Sequence, residues 1–294
     1  MNPWIEAMRL RTLPVSVAGV ITGCGCAATT WRFSWWPAIA CLLIAVLAQI
    51  ASNFGNEYFD YRNGLDRKGR EGFRRGVTEG DISPKAMLKA TVFTLGLACG
   101  VGLAMVITLR EWWLILPGIA IALFAIGYSE GPYPLSHHGL GDLAVVIFFG
   151  VVPVSLTCYC VSGSFGSPWI TIGAACAIGL MASNVLIVNN YRDMEDDRDV
   201  NKRTTVVIFG RRVMSTVYLL SGLVAIGLTW KIWAKGMPVC SIAIPALYAG
   251  IHFALWNQLR KREGAALNPL LGKTAMNLLL FAVLTTLLLT GIKG

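Results

Sequence analysis

Residues 37–66 read PAIACLLIAVLAQIASNFGNEYFDYRNGLD. From 37 to 56 the run carries no charge, and it closes on Glu57, Asp60, Arg62 and Asp66. About 20 mostly apolar residues suffice for a helix to cross a hydrocarbon core roughly 30 Å thick. The stretch therefore predicts a membrane helix whose last turns deliver acids to one face of the bilayer. Residues four apart stack on a helix, so Asn56 and Asp60 share a face. Asn63-Gly64 then predicts a break that turns Asp66 back toward them.

The same pattern recurs. The apolar run 169–188 leads into NNYRDMEDDRD at 189–199, followed by Lys202, Arg203 and Thr204. Asn189, Asp193 and Asp197 form a helical row about 12 Å long at 1.5 Å rise per residue. Asn-x3-Asp at 56 and again at 189 suggests an internal repeat of four spans.

Composition supports a membrane solvent for the whole chain. Of 294 residues, 14% are charged and 55% hydrophobic, against roughly 25% charged in a soluble domain. Nine runs are long and apolar enough to span: 13–30, 37–59, 90–109, 112–128, 143–161, 169–188, 213–232, 237–255 and 274–291. The expected architecture is an all-α integral membrane protein, residues 1–294 forming a single polytopic domain. Twenty of the 25 Lys and Arg fall on one side of these spans, which predicts a cytoplasmic N-terminus and an outside C-terminus. The formal charge of +9 is thus a topology signal, and no nucleic-acid partner is expected. Trp31, Trp35, Trp36, Trp112, Trp113, Trp169, Trp230 and Trp233 are expected to form a belt at the outer interface. The first span is expected to insert uncleaved, because the N-terminus lacks the features of a signal peptide. The eight cysteines are read as packing residues, and His137, His138 and His252 offer no catalytic partner.

Fifteen of the 16 acids lie on the side rich in Lys and Arg. Crowded carboxylates near a low dielectric repel unless cations sit among them. Magnesium suits this setting, since it takes oxygen ligands and binds through one or two carboxylates plus substrate phosphates. The two rows predict a diphosphate held through Mg²⁺, with Lys202, Arg203 and Arg75 on its outer oxygens. Glu195, Asp196, Asp199, Asp81 and Glu263 are read as surface charge. The plainer reading of acid-rich loops is solvated loops with local ion pairs. A transporter would place its charges near span centres, whereas these acids sit at span ends.

Asn56-x3-Asp60-x5-Asp66 and Asn190-x2-Asp193-x3-Asp197 followed by Lys202-Arg203-Thr204 resemble the two aspartate-rich signatures of the UbiA superfamily of intramembrane aromatic prenyltransferases. Arg9-x-Arg11-Thr12-Leu13-Pro14, Gly131-Pro132-Tyr133-Pro134-Leu135, Gly139-Leu140-Gly141-Asp142, Leu267-Asn268-Pro269 and Lys273-Thr274 extend the likeness over nearly the whole chain. The run 58–66 and the Gly-Pro-Tyr-Pro-Leu segment are most similar to the branch that prenylates 1,4-dihydroxy-2-naphthoate in menaquinone synthesis. Two departures stand out: residues 72–76 replace a Gly/Pro-rich stretch common among relatives, and Asp142 stands where Glu is common.

The resemblance implies nine helices around a central cavity with its polar mouth toward the cytoplasm and a side opening toward lipid, in the cell's inner (plasma) membrane. It implies Mg²⁺-dependent transfer of a polyprenyl group from polyprenyl diphosphate to the naphthoate, giving demethylmenaquinone, with 4-hydroxybenzoate as the alternative acceptor. The implied metal ligands are Asn56, Asp60, Asp66, Asn190, Asp193 and Asp197, the four aspartates being catalytic. Tyr61, Tyr128 or Tyr133 would face the allylic cation, and Arg11 or Arg62 the acceptor carboxylate. Asp60→Ala and Asp193→Ala are each expected to abolish turnover without unfolding the chain.

Overall fold

Backbone polar groups in hydrocarbon must bond within their own segment, and the apolar runs accordingly become helices. The computed structural model describes residues 2–69, 72–234 and 240–291; the side chains of Cys240 and Ser241 are not part of that description. Arg70, Lys235, Lys293 and the start of the eighth expected span, 237–239, lie outside it. The long helices are α1 (Leu13–Ala28), α2 (Trp35–Arg62), α3 (Pro84–Leu109), α4 (Ile115–Gly127), α5 (Gly141–Ser162), α6 (Pro168–Arg192), α7 (Thr205–Ala234), α8 (Cys240–Lys261) and α9 (Asn268–Gly291). Short helices occupy Pro3–Met8, Gly76–Glu79 and Met194–Asp199. The described residues contain no strand, only an isolated bridge between His138 and Arg203.

Among the described residues, seven helical segments are long and apolar enough to cross a membrane: Pro3–Ala28, Trp35–Arg62, Pro84–Leu109, Gly141–Ser162, Pro168–Arg192, Thr205–Ala234 and Gly264–Gly291. The fourth expected span is shorter, Trp112–Gly127, because a 3-10 turn at Trp112–Leu114 uses part of the run. In α8 the described part ends in Asn257, Gln258, Arg260 and Lys261, which lowers its hydropathy.

α6 is the most enclosed of the seven, with 67% of its apolar window buried, and α7 and α5 flank it. Its small residues allow this. A Cβ on Gly150 of α5 would fall 2.4 Å from the Gly179 Cα of α6, so the two backbones touch where both lack side chains. Small-residue contacts of this kind are how helices pack without a hydrophobic driving force. At that crossing α5 carries a π-helical segment, Val146–Val151.

Trp35 and Trp169 start α2 and α6 and are 74% and 83% exposed, at the opposite ends from Asp60 and Asp193. Trp233 departs from the expected belt. It is fully buried with its ring 5.3 Å from that of Phe281, serving as a core residue of α7 and α9.

Candidate functional site

The end of α2 builds the first half of the site. Asn63 caps the helix, Gly64 takes φ +68°, and the Leu65 N–H donates to the Asp60 carbonyl at 2.9 Å. A positive φ costs glycine little, so the chain reverses here and Asp66 returns beside Asp60, as the Asn63-Gly64 break predicts. Both acids meet Arg75: Nη2 donates to Asp60 Oδ2 at 3.2 Å, and Nε stands 3.4 Å from Asp66 Oδ2. Thr78 Oγ1 adds a bond to Asp66 Oδ2 at 3.0 Å. The side chains are nearly closed to solvent, Arg75 at 8%, Asp60 at 6% and Asp66 at 1% exposure. Glu57, one turn before Asp60 and also buried, accepts the Val77 N–H at 3.0 Å and so anchors the short helix that follows Arg75. Sequence reasoning missed Glu57, although its i, i+3 spacing from Asp60 was the available signal.

The end of α6 builds the second half differently. Arg192 holds Asp193 with two bonds, Nε to Oδ1 at 2.7 Å and Nη2 to Oδ2 at 2.8 Å. It also donates to Asn189 Oδ1 and to Asn268 Oδ1, both at 2.9 Å, tying α6 to the first residue of α9. The helical register continues into Met194–Asp199, since the Asp197 N–H donates to the Asp193 carbonyl at 2.8 Å. Lys202 Nζ lies 3.4 Å from Asp197 Oδ1. Arg67, arriving from the α2 half, pairs with Asp196 and stands 3.8 Å from Asp199.

Together these residues enclose a pocket of about 180 Å³ lined by Asp60, Asp66, Arg67, Asp196, Asp197, Asp199 and Lys202. Asp196, read as surface charge, lines the pocket beside Arg67 with its side chain only 15% exposed, whereas Asp199 borders the pocket and stays 65% exposed, as a surface charge does. Asp193 does not line it; its carboxylate is engaged by Arg192.

Lys202 also lines a second, larger cavity of about 540 Å³. The polar end of this chamber carries Asn56, Asn189, Asn190, Arg9 and Tyr128. Its deep end is apolar, with Met105, Val106, Leu114 and Cys160, each under 9% exposed, among the lining residues. Phe124 and Phe148 stack in its wall at 4.0 Å between centroids.

The remaining sequence candidates scatter. Arg9 lines the chamber and Arg11 does not. The backbone at Arg9 is left-handed, φ 52°, as it caps Pro3–Met8, and arginines two apart leave that turn toward different sides. The Arg11 guanidinium lies 5.6 Å from the centre of the Phe73 ring, with Arg192 also 5.2 Å from it. Arg62 is about half exposed and pairs with Glu130 at 2.7 Å. Tyr61 and Tyr133 are 44% and 57% exposed, and Tyr133 stacks on His138, leaving Tyr128 as the one of the three that lines the chamber. Arg203 reaches neither cavity lining. Its N–H donates to the His137 carbonyl at 3.2 Å, docking the loop after Asp199 onto the one before α5. Burial, with Lys202 nearby, pushes the His137 imidazole down to about 4, so it is neutral at ordinary pH. Asp142, the departure from the family pattern, is held by Ser183 Oγ at 3.0 Å and Thr205 Oγ1 at 2.5 Å.

Among the described residues no three Asp, Glu, His or Cys side chains stand assembled as a cation site. The buried carboxylates are instead bridged by Arg75, Lys202 and Arg67. An all-oxygen set with two nearly closed carboxylates fits a hard divalent cation, and magnesium needs only one or two carboxylates when a diphosphate supplies further oxygens.

Comparison with known proteins agrees with this geometry. The profile of the UbiA prenyltransferase family matches residues 16–290. The chain is 33% identical to the 1,4-dihydroxy-2-naphthoate octaprenyltransferase of Escherichia coli K12, covering 97% of this chain and 94% of that protein. It is 32% identical to the protein of the same name from Mycobacterium tuberculosis, over 95% and 94%. Among solved structures, a UbiA homolog from Archaeoglobus fulgidus bound to DMAPP and Mg²⁺ superposes with a TM-score of 0.70, covering 98% of this chain and 99% of that one at 15% identity.

Proposed function

We propose that this chain, which belongs to the UbiA prenyltransferase family, transfers a polyprenyl group from polyprenyl diphosphate to 1,4-dihydroxy-2-naphthoate. The naming of its relatives at 32–33% identity over nearly the whole chain supports that acceptor. The observation that carries the reading is the junction of the two cavities at Lys202, an acid-lined pocket of about 180 Å³ opening beside an apolar chamber of about 540 Å³. An amphiphile with a charged head and a long apolar tail is the substrate such a pair suits.

The chain's own residues supply most of the chemistry. Lys202, which lines both cavities, binds diphosphate oxygens while Arg75 steadies Asp60 and Asp66 from behind the pocket, and the negative charge that grows on the leaving group is stabilised by a donor already in place. The allylic C–O bond breaks, its electron pair leaving with diphosphate. The tail lies in the chamber against Phe124, Phe148 and Met105, which keep water from the cation. Tyr128 offers an aromatic face to that cation. Arg9 at the chamber's polar end holds the naphthoate carboxylate. The ring carbon bearing the carboxylate attacks, a C–C bond forms, and loss of carbon dioxide returns its electron pair to the ring. The product is the hydroquinone form of demethylmenaquinone. Magnesium held by Asp60, Asp66 and Asp197, with Asn56 and Asn190 nearby, would supply the Lewis acidity that neutralises the diphosphate. Asp193 acts through Arg192, fixing the end of α6.

The single domain crosses the inner (plasma) membrane nine times, α4 and α8 included. The Lys and Arg at the acid-bearing helix ends support a cytoplasmic N-terminus and a cytoplasmic site. A turnover assay of the full chain in detergent, with 1,4-dihydroxy-2-naphthoate, a polyprenyl diphosphate and Mg²⁺, tests the reading. Prenylated product with carbon dioxide release, abolished by EDTA, is expected. Product from 4-hydroxybenzoate alone would overturn the acceptor, and metal-independent turnover would overturn the role of magnesium.

A further inference from the structure

A groove of about 870 Å³ between the start of α1, α8 and α9 shares no lining residue with the chamber. Its lining is graded along α9. Arg11 and Lys273 stand near the end where α9 begins, both exposed. Among the described residues neither comes within ion-pair distance of an acid, whereas Arg62, Arg67, Arg74, Arg75 and Arg192 all do. One turn deeper is Asn277, only 5% exposed, whose side-chain oxygen has no hydrogen-bond partner among the described residues. Beside it is Met276, and beyond it the walls are Leu280 and Ile251.

Each feature selects part of a ligand. Two cations at one mouth repel each other and attract an anion. A buried amide oxygen without a partner is costly and is satisfied by a group lying between the charged mouth and the apolar floor. Amide oxygen and nitrogen exchange by a flip of the side chain, so Asn277 can meet a hydroxyl or an ester carbonyl. Apolar walls facing lipid hold a hydrocarbon chain and reject a small hydrated ion. We propose that this groove binds one anionic glycerophospholipid, its phosphate on Arg11 and Lys273, its glycerol region on Asn277, and an acyl chain along Met276, Leu280 and Ile251. The site requires a membrane setting and is independent of which aromatic acceptor is prenylated.

Native mass spectrometry of the full chain in detergent, titrated with dioleoyl phosphatidylglycerol and, separately, dioleoyl phosphatidylcholine, tests it. Tight binding of one phosphatidylglycerol over phosphatidylcholine is expected. From the attraction of surface cations for anionic headgroups, Arg11→Gln with Lys273→Gln should bind phosphatidylglycerol roughly 30-fold more weakly. Lys273→Gln alone should weaken it roughly fivefold, which keeps the test decisive if the double variant does not fold. Asn277→Leu should also weaken binding, while Arg212→Gln with Lys261→Gln, exposed cations outside the groove, should leave it unchanged. Equal binding of the two lipids, or unchanged affinity in Lys273→Gln, would overturn the proposal. So would displacement by inorganic phosphate, which makes the site one for a free anion, or by geranyl diphosphate, which makes it a substrate site.

Discussion

α2 and α6 both end in acid-rich turns, yet the two ends are built to opposite designs. At the α2 end a glycine reversal folds Asp66 back, and both carboxylates share the guanidinium of Arg75, carried on a loop. At the α6 end Asp193 is paired twice by its own neighbour Arg192, which is also fastened to Asn189 and to Asn268 of α9. Carboxylates that share one long-range cation can exchange it for another charge. A carboxylate paired within a buried network is part of the frame. The difference teaches that similar motifs need not be placed alike: Asp60, Asp66 and Asp197 line the small pocket, and Asp193 pairs with Arg192 beside it.

The largest test of that division is metal removal and loss of the facing acids. Turnover should vanish in EDTA, and Asp60→Asn should lower kcat by roughly 10³-fold, in the range lost with a key electrostatic group, while thermal unfolding stays within a few degrees. Next comes the opposite pairing of effects. Asp193→Asn leaves Arg192 buried and uncompensated, so it should destabilise the fold by about 3–5 kcal/mol, read as a large drop in Tm. Asp197→Asn should lose activity with little change in Tm. Equal Tm losses in the two variants would break the comparison. The sequence alone leads to the opposite expectation, that Asp193→Ala leaves the fold intact, and the Tm of the Asp193 variant decides between the two.

A smaller effect sharpens the α2 side. A Cβ added at Gly64 would meet open space, so Gly64→Ala would suffer from the φ of +68°, costing about 1–2 kcal/mol. That strain is expected to raise the KM for prenyl diphosphate by loosening Asp66, with Gly64→Asn tolerated. The smallest effect concerns pH. The His137 imidazole, lowered to about 4 from an ordinary 6.5, takes up a proton in the unfolded chain first. Its contribution to stability is therefore complete above pH 6.5 and is lost as pH falls through 4. His137→Gln should flatten the decline of Tm across that window.

Much of this was legible because it is local. Runs such as 37–56 and 169–188 announce helices by composition, and Asn56, Asp60, Asp193 and Asp197 announce a polar end by spacing of four. The reversal at Asn63-Gly64 was equally readable, since turn chemistry lives in two adjacent residues. Ion-pair partners were not. The bond from Arg192 to Asn268 joins residues 76 apart, and Arg67 reaches Asp196 across 129. Periodicity contains nothing about such distances. That Arg9 lines the chamber while the expected Arg11 does not follows from one backbone conformation, and Trp233 passed for a belt residue until α9 was seen to cover it.

By itself, then, the sequence determined that this chain lives in a bilayer, that acids gather at two helix ends, and that cations share their side, because hydrophobicity and helical spacing are properties of neighbours along the chain. Only the tertiary structure decided which carboxylate faces a cavity and which arginine locks it. Those choices depend on what a third helix brings within about 3 Å, the range over which hydrogen bonds form, and no segment encodes that alone.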